Sequence, residues 1–148
     1  MARAQRIATE AQIRPVFQKP GPFLNQPTLT LDTGTIQGTT RTLDVRPPVG
    51  QIWEVLFAAG QLSAVSSPSA GSAARVQITI RTGTTNYLVA EDNLVAGDGQ
   101  TYDDVHVELT SLGGPFLITN SKYLRMIGTS DSTTGAQVVD FIIVTVPV

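Results

Sequence analysis

The sequence predicts an all-β fold, a jelly-roll-like antiparallel β-sandwich of about eight strands preceded by an extended N-terminal arm. Three observations predict it. β-Branched residues dominate, with 19 Thr, 15 Val and 10 Ile among 148 residues, and their stiff side chains suit a pleated sheet better than a helix. Lysine occurs twice and glutamate four times, although exposed helices usually draw on both. Short apolar runs recur at a spacing of roughly ten to fifteen residues between Gly, Pro and Asp turns, the pattern of a sandwich or barrel. The length predicts one domain, large enough to bury a core without covalent staples. There is no cysteine, hence no disulfide framework and no thiolate metal cage.

Residues 1–27 form a Pro-rich basic arm and residues 28–148 the β-sandwich domain. The arm carries Arg3, Arg6, Arg14 and Lys19 against Glu10, a net charge of +3. Helical character is confined to about its first fourteen positions, and a helix that short is marginal alone. Pro15, Pro20, Pro22 and Pro27 then favour extended backbone. Ile13, Val16, Phe17, Phe23 and Leu24 are too apolar for a solubilising tail. The segment is therefore expected to lie along another protein surface, with Arg3, Arg6, Ile13, Arg14, Val16, Phe17, Lys19, Phe23 and Leu24 as its contact residues. Folding back over its own sandwich is the alternative.

From Thr28 the pattern is strand and turn. Thr28 to Leu31 alternates and ends at a turn over Asp32-Thr33-Gly34. Thr40 to Arg46 places Leu43 and Val45 on one face and stops at Pro47-Pro48. Gln51 to Val65 is long and apolar, with Trp53, Val55 and Phe57 alternating and Gly60 marking a bulge or bend. Trp53 is expected in the core. Ser66 to Ala74 is a loop by composition. Arg75 to Arg81 is the clearest strand, with Val76, Ile78 and Ile80 on one side. Thr82-Gly83-Thr84 turns it into a hairpin with Asn86 to Ala90, and Glu91 to Tyr102 is a longer connection. Asp104 to Thr110 turns Val105, Val107 and Leu109 inward. Phe116 to Ile118 is short, Lys122 to Thr129 is a further strand, and Gln137 to Val146 is a nearly continuous apolar strand. Such a run predicts a central strand covered on both faces, although it also fits a subunit interface.

Few residues offer chemistry, so the expectation is no enzyme, no catalytic residues, no cofactor and no metal. The single histidine, His106, falls on the polar side of its strand. Without cysteine or a second histidine, a typical zinc site is excluded and a Ser-His-Asp triad would need His106 itself. Glu91, Asp92, Asp98, Asp103 and Asp104 cluster in one connection, but their spacing does not match an EF-hand and Asp is an ordinary turn former. Beyond the arm the chain carries 6 basic and 11 acidic residues, a poor balance for nucleic acid. No apolar run approaches the ~18 residues of a membrane span, and the first fourteen residues lack the apolar core of a secretory signal.

Three stretches carry a resemblance: Gly50-Gln51-Ile52-Trp53-Glu54-Val55, Gly83-Thr84-Thr85-Asn86-Tyr87-Leu88-Val89, and Pro115-Phe116-Leu117-Ile118-Thr119-Asn120-Ser121-Lys122-Tyr123-Leu124-Arg125. Together they resemble the small β-sandwich structural proteins of tailed-bacteriophage virions, over about residues 40–146. The resemblance implies a capsid decoration or cement protein at the capsid surface, often a homotrimer, with the major capsid protein as partner and no specific nucleic acid or membrane. The alternatives are a receptor- or glycan-binding head module, using loops near Ser66–Ala74 and Glu91–Tyr102, and a head–tail connector component.

Overall fold

The computed structural model describes residues 26–64, 68–96, 105–109 and 115–148. Within them run nine strands: β1 (Thr28–Ile36), β2 (Thr40–Val45), β3 (Ile52–Ala64), β4 (Ala73–Thr82), β5 (Thr85–Val95), β6 (Val105–Leu109), β7 (Leu117–Thr119), β8 (Lys122–Ser130) and β9 (Gln137–Pro147). They form two antiparallel sheets. Sheet A has the order β1-β9-β3-β6, with β7 also pairing β3, and sheet B the order β2-β8-β4-β5. The ribbon β1–β2 thus lies along β9–β8, and β3–β4 along β6–β5, which is the winding of a jelly roll. The expected all-β sandwich is observed, and the short strand expected at Phe116 to Ile118 is β7, shifted by one residue.

The core lies between the sheets. Alternate residues of each central strand point into it: Ala74, Val76, Ile78 and Ile80 from β4, Leu124 and Met126 from β8, and Val139, Phe141 and Ile143 from β9. Each large apolar side chain buried there contributes about 1.5–3 kcal/mol. Two glycines let the sheets close. A Cβ on Gly60 would meet Val76 Cγ1 at 2.6 Å, and one on Gly128 would meet Val139 Cγ1 at 2.7 Å. Gly60 pairs Phe141 within sheet A, and Val76 pairs Gly128 within sheet B. Each sheet therefore sets a large residue beside a glycine, and the two arrangements interlock.

An inward aspartate closes each open edge of the sandwich. At the β1/β2 edge, Arg41 Nε and Nη2 donate to Asp32 at 2.7 and 2.9 Å. At the β5/β6 edge, the His106 backbone N–H donates to Asp92 Oδ2 at 2.9 Å. Inward charge on edge strands also discourages sheets from pairing edge to edge.

Several sequence expectations need correction. Asp32-Thr33-Gly34 is not a turn, because β1 runs through it and the chain reverses only beyond Ile36, with Gly38 at φ 60°. Asp32 serves the ion pair, and a Cβ on Gly34 would lie 2.3 Å from the Arg41 guanidinium. The bulge of β3 falls between Val55 and Phe57 rather than at Gly60. It turns Phe57 to the opposite face from Trp53 and Val55, so those three do not share one face. Trp53 is half-buried against the core, its Nε1–H donating to Gln51 Oε1 at 2.9 Å. β5 continues through Glu91–Val95, pairing the first half of β4, where a connection was expected. β9 is central, between β1 and β3, but its outward face is not covered: Ile142 remains 40% exposed.

Candidate functional site on the outward face of sheet A

The two sheets present very different outward faces. In β9, Val139, Phe141 and Ile143 point inward, so Asp140, Ile142 and Val144 point out. The register aligns them with their neighbours. Leu29, Val144 and Phe57 form one row across β1, β9 and β3, and Leu31, Ile142 and Ala59 form the next. Leu29 is 58% exposed and Leu31 65%. Leu56 at the bulge and Leu117 on β7 are exposed as well. Contiguous exposed apolar side chains of this kind often mark a functional surface.

The charges of this face have one sign. Glu54, Glu108 and Asp140 lie on it by register, and none is ion-paired among the described residues. Every arginine and lysine after residue 27 belongs to β2, β4 or β8 of sheet B or, in Arg46, directly follows β2, while the His106 imidazole shares the outward side of β6 with Glu108. On sheet B the charges are used. Arg125 Nε and Nη2 donate to Asp44 at 2.6 and 2.7 Å, Arg75 stands 3.6 Å from Glu91, and Arg46 lies 3.8 Å from the Tyr123 ring centre. Hydrogen bonding to Asp44 raises the Arg125 pKa against the opposing effect of burial, and Asp32 does the same for Arg41. Sheet B thus pairs most of its charges, while Leu88 and Val95 stay exposed on its edge strand β5 and Arg81 Nε has no partner among the described residues. Sheet A presents apolar rows flanked by unneutralised carboxylates, which suits an apolar, basic protein segment and repels phosphate.

The remaining candidates fit structural roles. Arg3, Arg6, Ile13, Arg14, Val16, Phe17, Lys19, Phe23 and Leu24 lie outside the described residues, as do Asp98, Asp103 and Asp104 of the acidic cluster. Glu91 accepts from Gln77 Nε2 at 2.8 Å, and Asp92 closes the sandwich edge. His106 is exposed on the outward side of β6. No group of three His, Asp or Glu able to hold a metal ion occurs among the described residues. A shallow depression of about 420 Å³ near the start of β4 is lined by Arg75, Glu91 and Asp131 among others. Its charged groups are engaged within the protein, Asp131 accepting from the Ala73 backbone N–H.

The sequence did not single out Leu29, Leu31, Phe57, Ile142 and Val144 as a surface. Its available signal was the nearly continuous apolar run of β9, which an outward polar face does not explain although Asp140 interrupts the run on that side. No protein-family model and no curated protein matches the chain.

Proposed function

We propose that the chain is a structural protein of a tailed-phage virion, a capsid decoration or cement protein. It acts as a homotrimer at the capsid surface and binds the major capsid protein through its arm and sandwich. The observation that carries the reading is the outward face of sheet A, an apolar surface on a rigid jelly roll that calls for a protein partner. The three stretches that resemble virion proteins are spread over both sheets: Gly50, at φ 86°, leads into β3 of sheet A; Gly83, at φ 58°, turns β4 into β5 of sheet B; and residues 115–125 run from β7, beside β3, into β8 of sheet B. Jelly rolls host capsid and lectin functions alike, so the fold alone does not decide between them. Light scattering of the protein, alone and with shells lacking it, tests the proposal. A trimer that co-sediments with shells is expected; a monomer or a larger ring that ignores them refutes it.

One observation favours a second reading, a receptor- or glycan-binding head. At the β4–β5 tip Tyr87 is 58% exposed, near Asn86, whose Oδ1 accepts from Arg81 Nη1. Asn86 and Tyr87 are consecutive in β5 and point to opposite faces, so the Tyr87 ring alone, with its apolar face and polar hydroxyl, offers a stacking surface for a sugar. Glycan-array binding that disappears with Tyr87→Ala would replace the cement reading by this one.

A further inference from the structure

We infer that the outward face of sheet A is the seat of the chain's own N-terminal segment, residues 13–24. The inference rests on reading residues 1–27 as a docking arm; seated on a neighbouring copy, the segment would hold the proposed homotrimer together, whereas seated on its own copy it would take from the shell the face that carries the virion proposal.

Position is the first argument. The segment ends four residues before Thr28, where β1 begins, and β1 supplies Leu29 and Leu31, the two most exposed leucines of the face. Twelve residues reach up to ~40 Å when extended. Crossing from β1 over β9 to β3 takes only ~10 Å. The segment can therefore cover both apolar rows with length to spare, on its own sheet or on that of a neighbouring copy.

Chemistry is the second argument. The face offers apolar rows and carboxylates without a cation. The segment offers Ile13, Val16, Phe17, Phe23 and Leu24 together with Arg14 and Lys19, and no acidic residue occurs between Glu10 and Asp32. Sheet B, by contrast, holds the arginines and lysines that follow the arm, apart from Arg46 just beyond β2, and already pairs Asp44 with Arg125 and Glu91 with Arg75. Aliphatic and aromatic anchors would bury the rows around Ile142, while Arg14 and Lys19 neutralise Asp140, Glu54 or Glu108. Pro15, Pro20 and Pro22 lack the N–H donors that a further ladder strand beside β1 needs. The side chains, not a new edge pairing, then carry the contact.

The absence of cysteine makes the test clean, because Gln18→Cys accepts a single nitroxide on the full-length protein. Methyl signals of Leu29, Leu31, Ile142 and Val144 should lose most of their intensity, while Ile127, outward on sheet B, keeps its own. Adding Asp140→Lys and Glu108→Lys should restore much of the lost intensity. Mixing nitroxide-bearing protein without isotope label into labelled, unmodified protein then tells which copy provides the segment. Broadening in the mixture means a neighbouring copy, and broadening confined to the doubly modified chain means the same copy; either supports the seat. No broadening on sheet A, or equal broadening on both sheets, overturns it. Shell co-sedimentation is a separate measurement, so failure of the virion proposal leaves this result standing, and the reverse also holds.

Discussion

Gly60→Ala adds a methyl group where a Cβ would press against the facing sheet. Gly60 is buried in β3 and its backbone is not left-handed, so the substitution carries no φ penalty. On a surface strand it would even be favourable, by about 0.4–1 kcal/mol, because alanine has less freedom to lose on folding. Here the new Cβ would stand 2.6 Å from Val76 Cγ1 and 3.3 Å from Phe141 Cδ1. Neither neighbour is the free end of a long side chain, and both are fully or almost fully buried. Overpacking of this kind costs about 1–3 kcal/mol, and because both buried neighbours are short of room to move the upper half of that range applies, leaving a net loss of about 1–2.6 kcal/mol. Urea unfolding at constant m-value reads that loss, and a Tm lower by about 5 °C should accompany it. A partner substitution sharpens the test. Val76→Ala alone should cost about 2 kcal/mol for lost burial and a cavity. With Gly60→Ala beside it, the new methyl occupies part of that cavity, so the double variant should be at least ~1 kcal/mol more stable than additivity requires. A Gly60→Ala protein as stable as the parent, or additive losses in the double variant, would refute the close approach of the sheets at this point.

The remaining predictions concern the edges and the surface. Asp92→Ala removes the acceptor of the His106 amide; it should speed hydrogen exchange at that amide and destabilise by about 1 kcal/mol in urea. Asp44→Ala breaks the Arg125 pair on the outward face of sheet B, and because both side chains are partly in water the loss should stay below ~1 kcal/mol and shrink further in high salt. The arginine pKa values at positions 41 and 125 are raised. Their stabilising contribution is thus fully present below the ordinary arginine value and is lost only as pH climbs through the higher folded value. Between pH 7 and 10 these two pairs should leave the urea midpoint unchanged; a steady decline that disappears on Arg41→Gln or Arg125→Gln would contradict that sign.

Strand patterning made much of the fold legible. In β4, Val76, Ile78 and Ile80 alternate with polar neighbours, and the structure buries them as that pattern requires. In β6, Val105, Val107 and Leu109 turn inward while His106 and Glu108 face out. β1 shows where pattern stops being sufficient. Its Thr-Leu alternation defines two faces but not which one is inside. The leucines are outward, and the inward face carries Thr30, Asp32 and Gly34, because Arg41 reaches across from β2 to pair with Asp32. Asp32-Thr33-Gly34 also reads as a turn signal, and only that long-range partner overrides it. β5 is a similar case: Glu91–Val95 looks like a polar connection, yet the ladder to β4 and the inward role of Asp92 keep it in the sheet.

By itself the sequence determined that the protein is built from strands, because β-branched composition and period-two patterning are local properties that each segment carries alone. It also determined the charge contrast between the basic arm and the acidic remainder. Only the tertiary structure decided how those charges divide. Strands distant in the chain are interleaved by the jelly-roll winding, so β2, β4 and β8 gather the basic residues into one sheet, while β1, β3 and β9 combine Leu29, Leu31, Phe57, Ile142 and Val144 into an outward apolar face. The physical reason is that a face is shared by residues brought side by side by long-range pairing, and neither the pairing nor the direction of inside is written in any one strand.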